Sequence, residues 1–218
     1  REKYESKQGM CLNVAANLKS LGSIVRVDRN KEKIKKIRLV DKKSNHHVLR
    51  IDDDPDITPI DIRKYNRESM RGFDALVISD YNKGYIRNGD ILDIIEPARY
   101  VGIPIFVDSK KKDLGNFEQC IIKINEKEKS EVINLPKSCE LVITLGKNGA
   151  LWNNKIFPSR QVNVHDVCGA GDVFLAGLVY KYLLTHGDME LSIAFANKCA
   201  AVSVTEFGTY VIKKSDVL

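Results

Sequence analysis

Residues 163–178 read NVHDVCGAGDVFLAGL, and this stretch decides how the whole chain is read. It sets Gly169, Ala170, Gly171 and Asp172 at the mouth of a strongly apolar helix predicted over 170–184. Glycines let successive backbone N–H groups turn inward without side-chain obstruction. Such donors at a helix N-terminus bind anions, because the unpaired N–H groups and the helix dipole point at one spot. A carboxylate there would repel an anion unless it served chemistry. Asp172 can take the proton of an alcohol as that oxygen attacks a phosphoryl group. The plainer alternative, a carboxylate that only caps the helix, stands beside it.

On either side the chain alternates strand and helix. Strands are predicted over 75–79, 103–107, 120–124 and 141–145. Helices are predicted over 89–100, from about 126, and over 188–204. Two short segments, 149–153 and 155–157, flank a turn at Asn153-Asn154. Continuous apolar strands with intervening helices imply an α/β fold, a mostly parallel sheet covered on both faces. Ligands bind such sheets at the carboxyl ends of the strands. Ser79, Asp80, Asp108, Asn125 and Thr144 gather at those ends. Toward the amino terminus a helix is predicted over 13–21, stopped by Gly22, and then a short buried strand over 24–27. Alternating segments 34–40 and 47–51, joined by 41–45, read as a polar hairpin that forms a flap.

Composition narrows the function classes. With 218 residues and 43% hydrophobic content, the chain can bury a core for one α/β domain with a small appendage. The net charge of +6 is concentrated at 31–43 and 110–112. Such runs suit a phosphorylated small molecule as well as nucleic acid, and a solvated face fits most of these lysines. No aromatic residues interleave them, so no nucleic-acid partner is expected. Cys11, Cys120, Cys139, Cys168 and Cys199 are odd in number and form no C-x-x-C pair. They read as reduced thiols in a cytoplasmic protein. No apolar run approaches the ~20 residues of a membrane span, so no membrane partner is expected.

Asp166, Gly169, Ala170, Gly171, Asp172 and Phe174 resemble the carboxyl-terminal signature of the PfkB/ribokinase-like carbohydrate kinases. Residues 8–22 (QGMCLNVAANLKSLG), 125–128 (NEKE) and 142–149 (VITLGKNG) resemble three further motifs of that family, in the family's order. Segments 36–53, 78–84, 107–110 and 207–209 are similar to the branch acting on D-glycero-D-manno-heptose 7-phosphate. The resemblance implies that residues 1–218 form one ribokinase-like kinase domain with 31–53 as its β-hairpin flap. It implies ATP and Mg²⁺ as cofactors, and transfer to the C1 hydroxyl of the heptose 7-phosphate to give the 1,7-bisphosphate. That product feeds ADP-heptose synthesis for lipopolysaccharide or another glycan. A homodimer joined through the flap is implied as well.

The same resemblance assigns roles. Asp172 is the base, and Gly169, Ala170 and Gly171 form the anion hole. Asn125 and Glu128 organise Mg²⁺ near the ATP phosphates, or else begin a solvated helix. Thr144, Gly146 and Gly149 shape the nucleotide pocket, or else an ordinary turn. Asn197 lies near the adenine, or on a helix surface. Asn13 binds sugar hydroxyls, caps its helix, or both. Asp80, Lys83 and Lys110 face the cleft, where the lysines hold phosphate as point charges. Arg50 ends the flap over the sugar.

The chain departs from the family pattern at Gly9-Met10, Cys11 and Leu12, at Ser109, at Ile124 and at Val173. The family also has a first strand and an acidic sugar ligand upstream of the glycine pair; this chain starts about where that segment should have ended, so either it is a fragment or a central strand is lost. Two other readings follow: a PfkB kinase for a different sugar, or a catalytically degenerate kinase-derived binding protein.

Overall fold

A computed structural model describes residues 11–41 and 47–217. Residues 8–10 of the amino-terminal motif and most of the predicted 41–45 joint lie outside the described residues.

Buried apolar strands organise the fold. In β4 (Ile105–Ser109) all five residues are buried, and in β5 (Cys120–Asn125) all but the last. Side chains along a strand alternate between faces. Thus Ile105 and Val107 join Ile122 and Ile124 in one core cluster, while Phe106 and Ile121 join another. The first cluster is covered by α3 (Ile91–Val101), through Ile91, Ile94, Ile95 and Ala98. The second is covered by α1 (Cys11–Ser20), α5 (Ala170–Leu184) and α6 (Met189–Ser203). Because α5 lies between the sheet and α6, it is apolar all round. Each fully buried Leu, Ile or Phe here contributes about 1.5–3 kcal/mol.

Among the described residues the main sheet has six strands in the order β3-β4-β5-β6-β7-β8. β3 (Leu76–Asp80), β4, β5 and β6 (Cys139–Thr144) are mutually parallel, and β7 (Ala150–Trp152) and β8 (Lys155–Phe157) complete it antiparallel. At the turn into β7, Gly149 has φ +96°, and a Cβ there would lie 2.0 Å from the Phe157 carbonyl oxygen. Only glycine fits that turn. Two short helices, α2 (Arg67–Met70) and α7 (Lys214–Val217), were not anticipated; α4 (Glu126–Glu131) begins where expected.

Two expectations need correcting. Residues 24–27 form no strand. Ile24 is fully exposed and Val25 only partly buried, and among the described residues no strand pairs with this segment. The hairpin of β1 (Lys35–Val40) and β2 (His47–Asp53) exists, but it is not polar throughout. Its register pairs Ile37 with Ile51 and Leu39 with Leu49, which gives one face an apolar stripe of half-exposed residues.

Candidate active site

The alternation that sorts the core also builds the site. Asp108 follows Phe106 by two residues and Lys123 follows Ile121 by two. Both therefore face α5, at the carboxyl ends of their strands. The first turn of α5 stands there. Gly169 precedes it at φ +78°, and a Cβ on Gly169 would come within 2.7 Å of Asn13 Nδ2. A Cβ on Gly171 would lie 2.9 Å from Lys123 Nζ. The two glycines therefore let an amide and an ammonium approach the backbone. Asp166 fixes the entry loop: its carboxylate accepts from Cys168 N and from Gly208 N, both at 2.9 Å.

Asp172 is 3% exposed. Its carboxylate accepts from Asn13 Nδ2 at 3.1 Å and from the Tyr81 hydroxyl at 3.0 Å. Burial pushes this carboxyl above its ordinary value. The Asp108 charge adds to the rise, and the Asn13 and Tyr81 donors and the Lys123 ammonium oppose it. Asp108 is also buried, which alone would raise its pKa. Lys123 Nζ at 2.6 Å and Lys110 Nζ at 3.2 Å outweigh that and hold it below the usual carboxylate range. Lys110 also pairs with Glu128.

These groups open on a cleft of about 500 Å³ lined by Tyr81, Asp108, Lys110, Lys123, Asn125 and Thr144, with Gly146, Gly169, Gly171 and Asp172. That volume is within the range of small-molecule sites. In the first turn of α5 the Gly171 and Asp172 amides have no acceptor within the helix. Ala170 does not complete the expected anion hole. Its N–H is turned back to Val167 O at 3.3 Å, closing the turn on Gly169.

Several other residues with expected roles are engaged by partners within the chain. Asn13 is 1% exposed and does not line the cleft. Its amide orients Asp172, and its Oδ1 accepts from Asn17 Nδ2 at 3.1 Å. Asp80 is buried too, accepting from Asn82 N at 2.8 Å and Ser109 Oγ at 3.0 Å, so it holds the turn after β3. Asn197 is 4% exposed, not on a helix surface, and donates to Phe157 O at 2.8 Å. Gly149 serves the β7 turn and is absent from the cleft wall. Lys83 pairs with Asp54, and exposed Arg50 pairs with Asp52 at 2.7 Å. Asn125 and Glu128 form a capping box on α4, with Asn125 Oδ1 accepting from Glu128 N at 2.8 Å. Lys111, in a run read as solvated, is 7% exposed and donates to Ile86 O at 2.7 Å.

Among the cleft residues given no role by the sequence reading are Tyr81 and Lys123. Lys123 had a signal: a lone lysine in the otherwise apolar run of β5, where an unpaired charge could not be buried. Tyr81 had only its place in the 78–84 segment similar to the heptose branch, which assigned it no role.

Comparison with known proteins agrees with the geometry. Residues 116–215 match the family described as pfkB family carbohydrate kinase. The chain is 29% identical to the bifunctional protein HldE of Campylobacter jejuni strain RM1221, over 99% of this chain and 56% of that protein. It is 32% identical to the protein of the same name from Campylobacter concisus, over 65% of this chain and 34% of the relative. It thus spans about half the length of the first of these relatives. Among solved structures, Escherichia coli phosphofructokinase-2 in complex with potassium superposes with a TM-score of 0.71 at 16% identity, covering 94% of this chain and 84% of that one. Ribokinase from Thermotoga maritima gives 0.58 at 20% identity, covering 84% of this chain and 67% of the other. Both likenesses concern the fold.

Proposed function

Because residues 116–215 match the pfkB family of carbohydrate kinases, we propose that this chain transfers the γ-phosphoryl group of ATP to a hydroxyl of a phosphorylated sugar. The observation that carries this reading is the buried Asp172 carboxylate, in the same cleft as the Gly171 amide and the Lys123 ammonium. Asp172 takes the proton of the attacking hydroxyl. A bond forms from that oxygen to the γ-phosphorus, the bond to the β,γ-bridging oxygen breaks, and ADP leaves. Lys123 and the free amides of the α5 turn face the migrating phosphoryl group, and such preorganised donors stabilise its charge.

Among the described residues no group of three or more His, Cys, Asp or Glu side chains is gathered for a metal. The donor set nonetheless fits Mg²⁺ that arrives on the nucleotide. Such an ion keeps several waters and needs only one or two protein carboxylates. Glu128 would hold it through water, with Asn125 beside it. When bound, Mg²⁺ neutralises charge on the β- and γ-phosphates.

The substrate we favour is D-glycero-D-manno-heptose 7-phosphate, phosphorylated at its C1 hydroxyl. Support comes from the similarity to HldE proteins and from cations grouped around the flap. Burial lowers the Lys36 pKa; the neighbouring Arg50 and Lys83 charges push the same way, and the Asp52 and Asp54 charges oppose them. A phosphate on the sugar would relieve that crowding. The test is a panel of sugars and sugar phosphates with ATP and Mg²⁺. Turnover is expected with heptose 7-phosphate, and exclusive turnover of non-phosphorylated sugars would overturn the choice.

We also infer that the flap pairs with a second copy of the chain. A two-stranded sheet is marginal alone, and its Ile37, Leu39, Leu49, Ile51 stripe is left half exposed. Light scattering should find a dimer that Ile37→Glu with Leu49→Glu converts to monomer. A wild-type monomer at concentrations of roughly 100 µM, well above the Kd of a specific interface, rules the pairing out.

A further inference from the structure

We propose that Tyr81 is a positioning residue, whose hydroxyl holds the Asp172 carboxylate in orientation and in its ionised form between turnovers. The inference deepens the kinase reading and rests on it. It starts from the turn that follows β3. Asp80 accepts from Asn82 N and from Ser109 Oγ, and Asn82 takes φ +53°. Buried Lys111 clamps this turn from below, with Nζ 3.4 Å from Asp80 Oδ2 and 3.1 Å from Asn82 Oδ1. The residue at the crest is Tyr81, and its hydroxyl reaches Asp172 Oδ1 at 3.0 Å. Its ring is fixed as well: Lys36 of the flap and Lys110 lie 5.1 and 5.6 Å from the ring centroid. An anchored turn and two ring contacts thus fix where this hydroxyl points.

The chemistry gives the arrangement a purpose. A buried carboxylate tends to protonate, and a protonated base cannot accept the sugar's proton. Asn13 donates to Asp172 Oδ2 and Tyr81 to Oδ1, so each oxygen has one donor and keeps a lone pair for the substrate. The groups facing Asp172 are Asn13 and the Cys11 thiol from α1, Tyr81 after β3, Asp108 from β4 and Lys123 from β5. Around Tyr81 lie Asp172, Asp108, Glu128, Lys36 and Lys110. Burial, and then the Asp172 and Asp108 charges, push the phenol's own pKa far up, so it stays a donor throughout the working range.

The deciding measurement is the carboxyl pKa of Asp172 in the ligand-free protein, by carbon-13 NMR of aspartate-labelled chain assigned with Asp172→Asn. Removing a donor from the charged form raises an acid's pKa, so Tyr81→Phe should move it up by about one pH unit. The acidic limb of kcat/KM should move by the same amount. Replacing Tyr81 with 3-fluorotyrosine keeps the shape and strengthens the donor, so the pKa should move down instead. This second variant keeps the test decisive if the Phe variant folds poorly. An unchanged pKa in the fluorotyrosine protein, or shifts of the same sign in both, would overturn the proposal. Since the titration needs no turnover, a chain that phosphorylates no sugar would refute the kinase reading and still leave Tyr81 to be judged.

Discussion

Asp172→Asn will cut phosphoryl transfer by about 10²–10⁴-fold, the usual contribution of a general base, while leaving the fold at least as stable. Asn matches Asp in size but cannot take up the sugar's proton at working pH. The stability forecast follows from the direction of the shift. The folded-state pKa of Asp172 is raised by burial. Its contribution to stability is therefore fully present below the unfolded value, near ~4, and is lost as pH rises through the folded one. At neutral pH the buried charge is a burden that Asn removes. Part of the gain is offset, because the new amide must turn one NH₂ group toward Asn13 or Tyr81, which both donate. Thermal unfolding and steady-state turnover of one preparation check both halves. Equal residual turnover in wild type and variant would mean the chain is a kinase-derived binding protein instead.

Lys123→Met should be the most destabilising single change near the cleft. The lysine and Asp108 are 3% and 2% exposed, with 2.6 Å between Nζ and Oδ2. Removing one partner of a buried pair costs about 3–5 kcal/mol, because the other charge is left uncompensated. Lys110 still reaches Asp108 at 3.2 Å, which puts the cost at the lower end. The expected loss in Tm is about 10 °C for a chain of this size. Adding Asp108→Leu should recover most of it, since an apolar pair of similar volume is often as stable as the ion pair it replaces. Turnover should stay low in the double variant, because no ammonium then stands beside Gly171 in the cleft. Full activity there would reduce Lys123 to a structural partner of Asp108.

The parts of the fold legible in the sequence were those with strong local signals. The β4 and β5 runs, the helix start at Asn125 to Glu128, and the GAGD turn into an apolar helix all reappear. The segment 24–27 misled because a short apolar run looks like a strand, whereas strand formation needs a neighbour to pair with. Asn13, Asp80 and Asn197 show another limit of sequence. Each is a polar residue in a plausible place, but burial committed its hydrogen bonds to other parts of the chain.

By itself the sequence determined the alternation of strand and helix, and the glycine-lined helix mouth with its carboxylate. Those depend on periodicity and on backbone freedom, which are local properties. Only the tertiary structure decided which polar groups serve the cleft and which serve the scaffold. It brought Tyr81 from 91 positions away, and Lys123 from a neighbouring strand, to the same carboxylate and glycine turn. The physical reason is that a buried polar group must find a partner wherever packing supplies one, and sequence spacing does not say where that is.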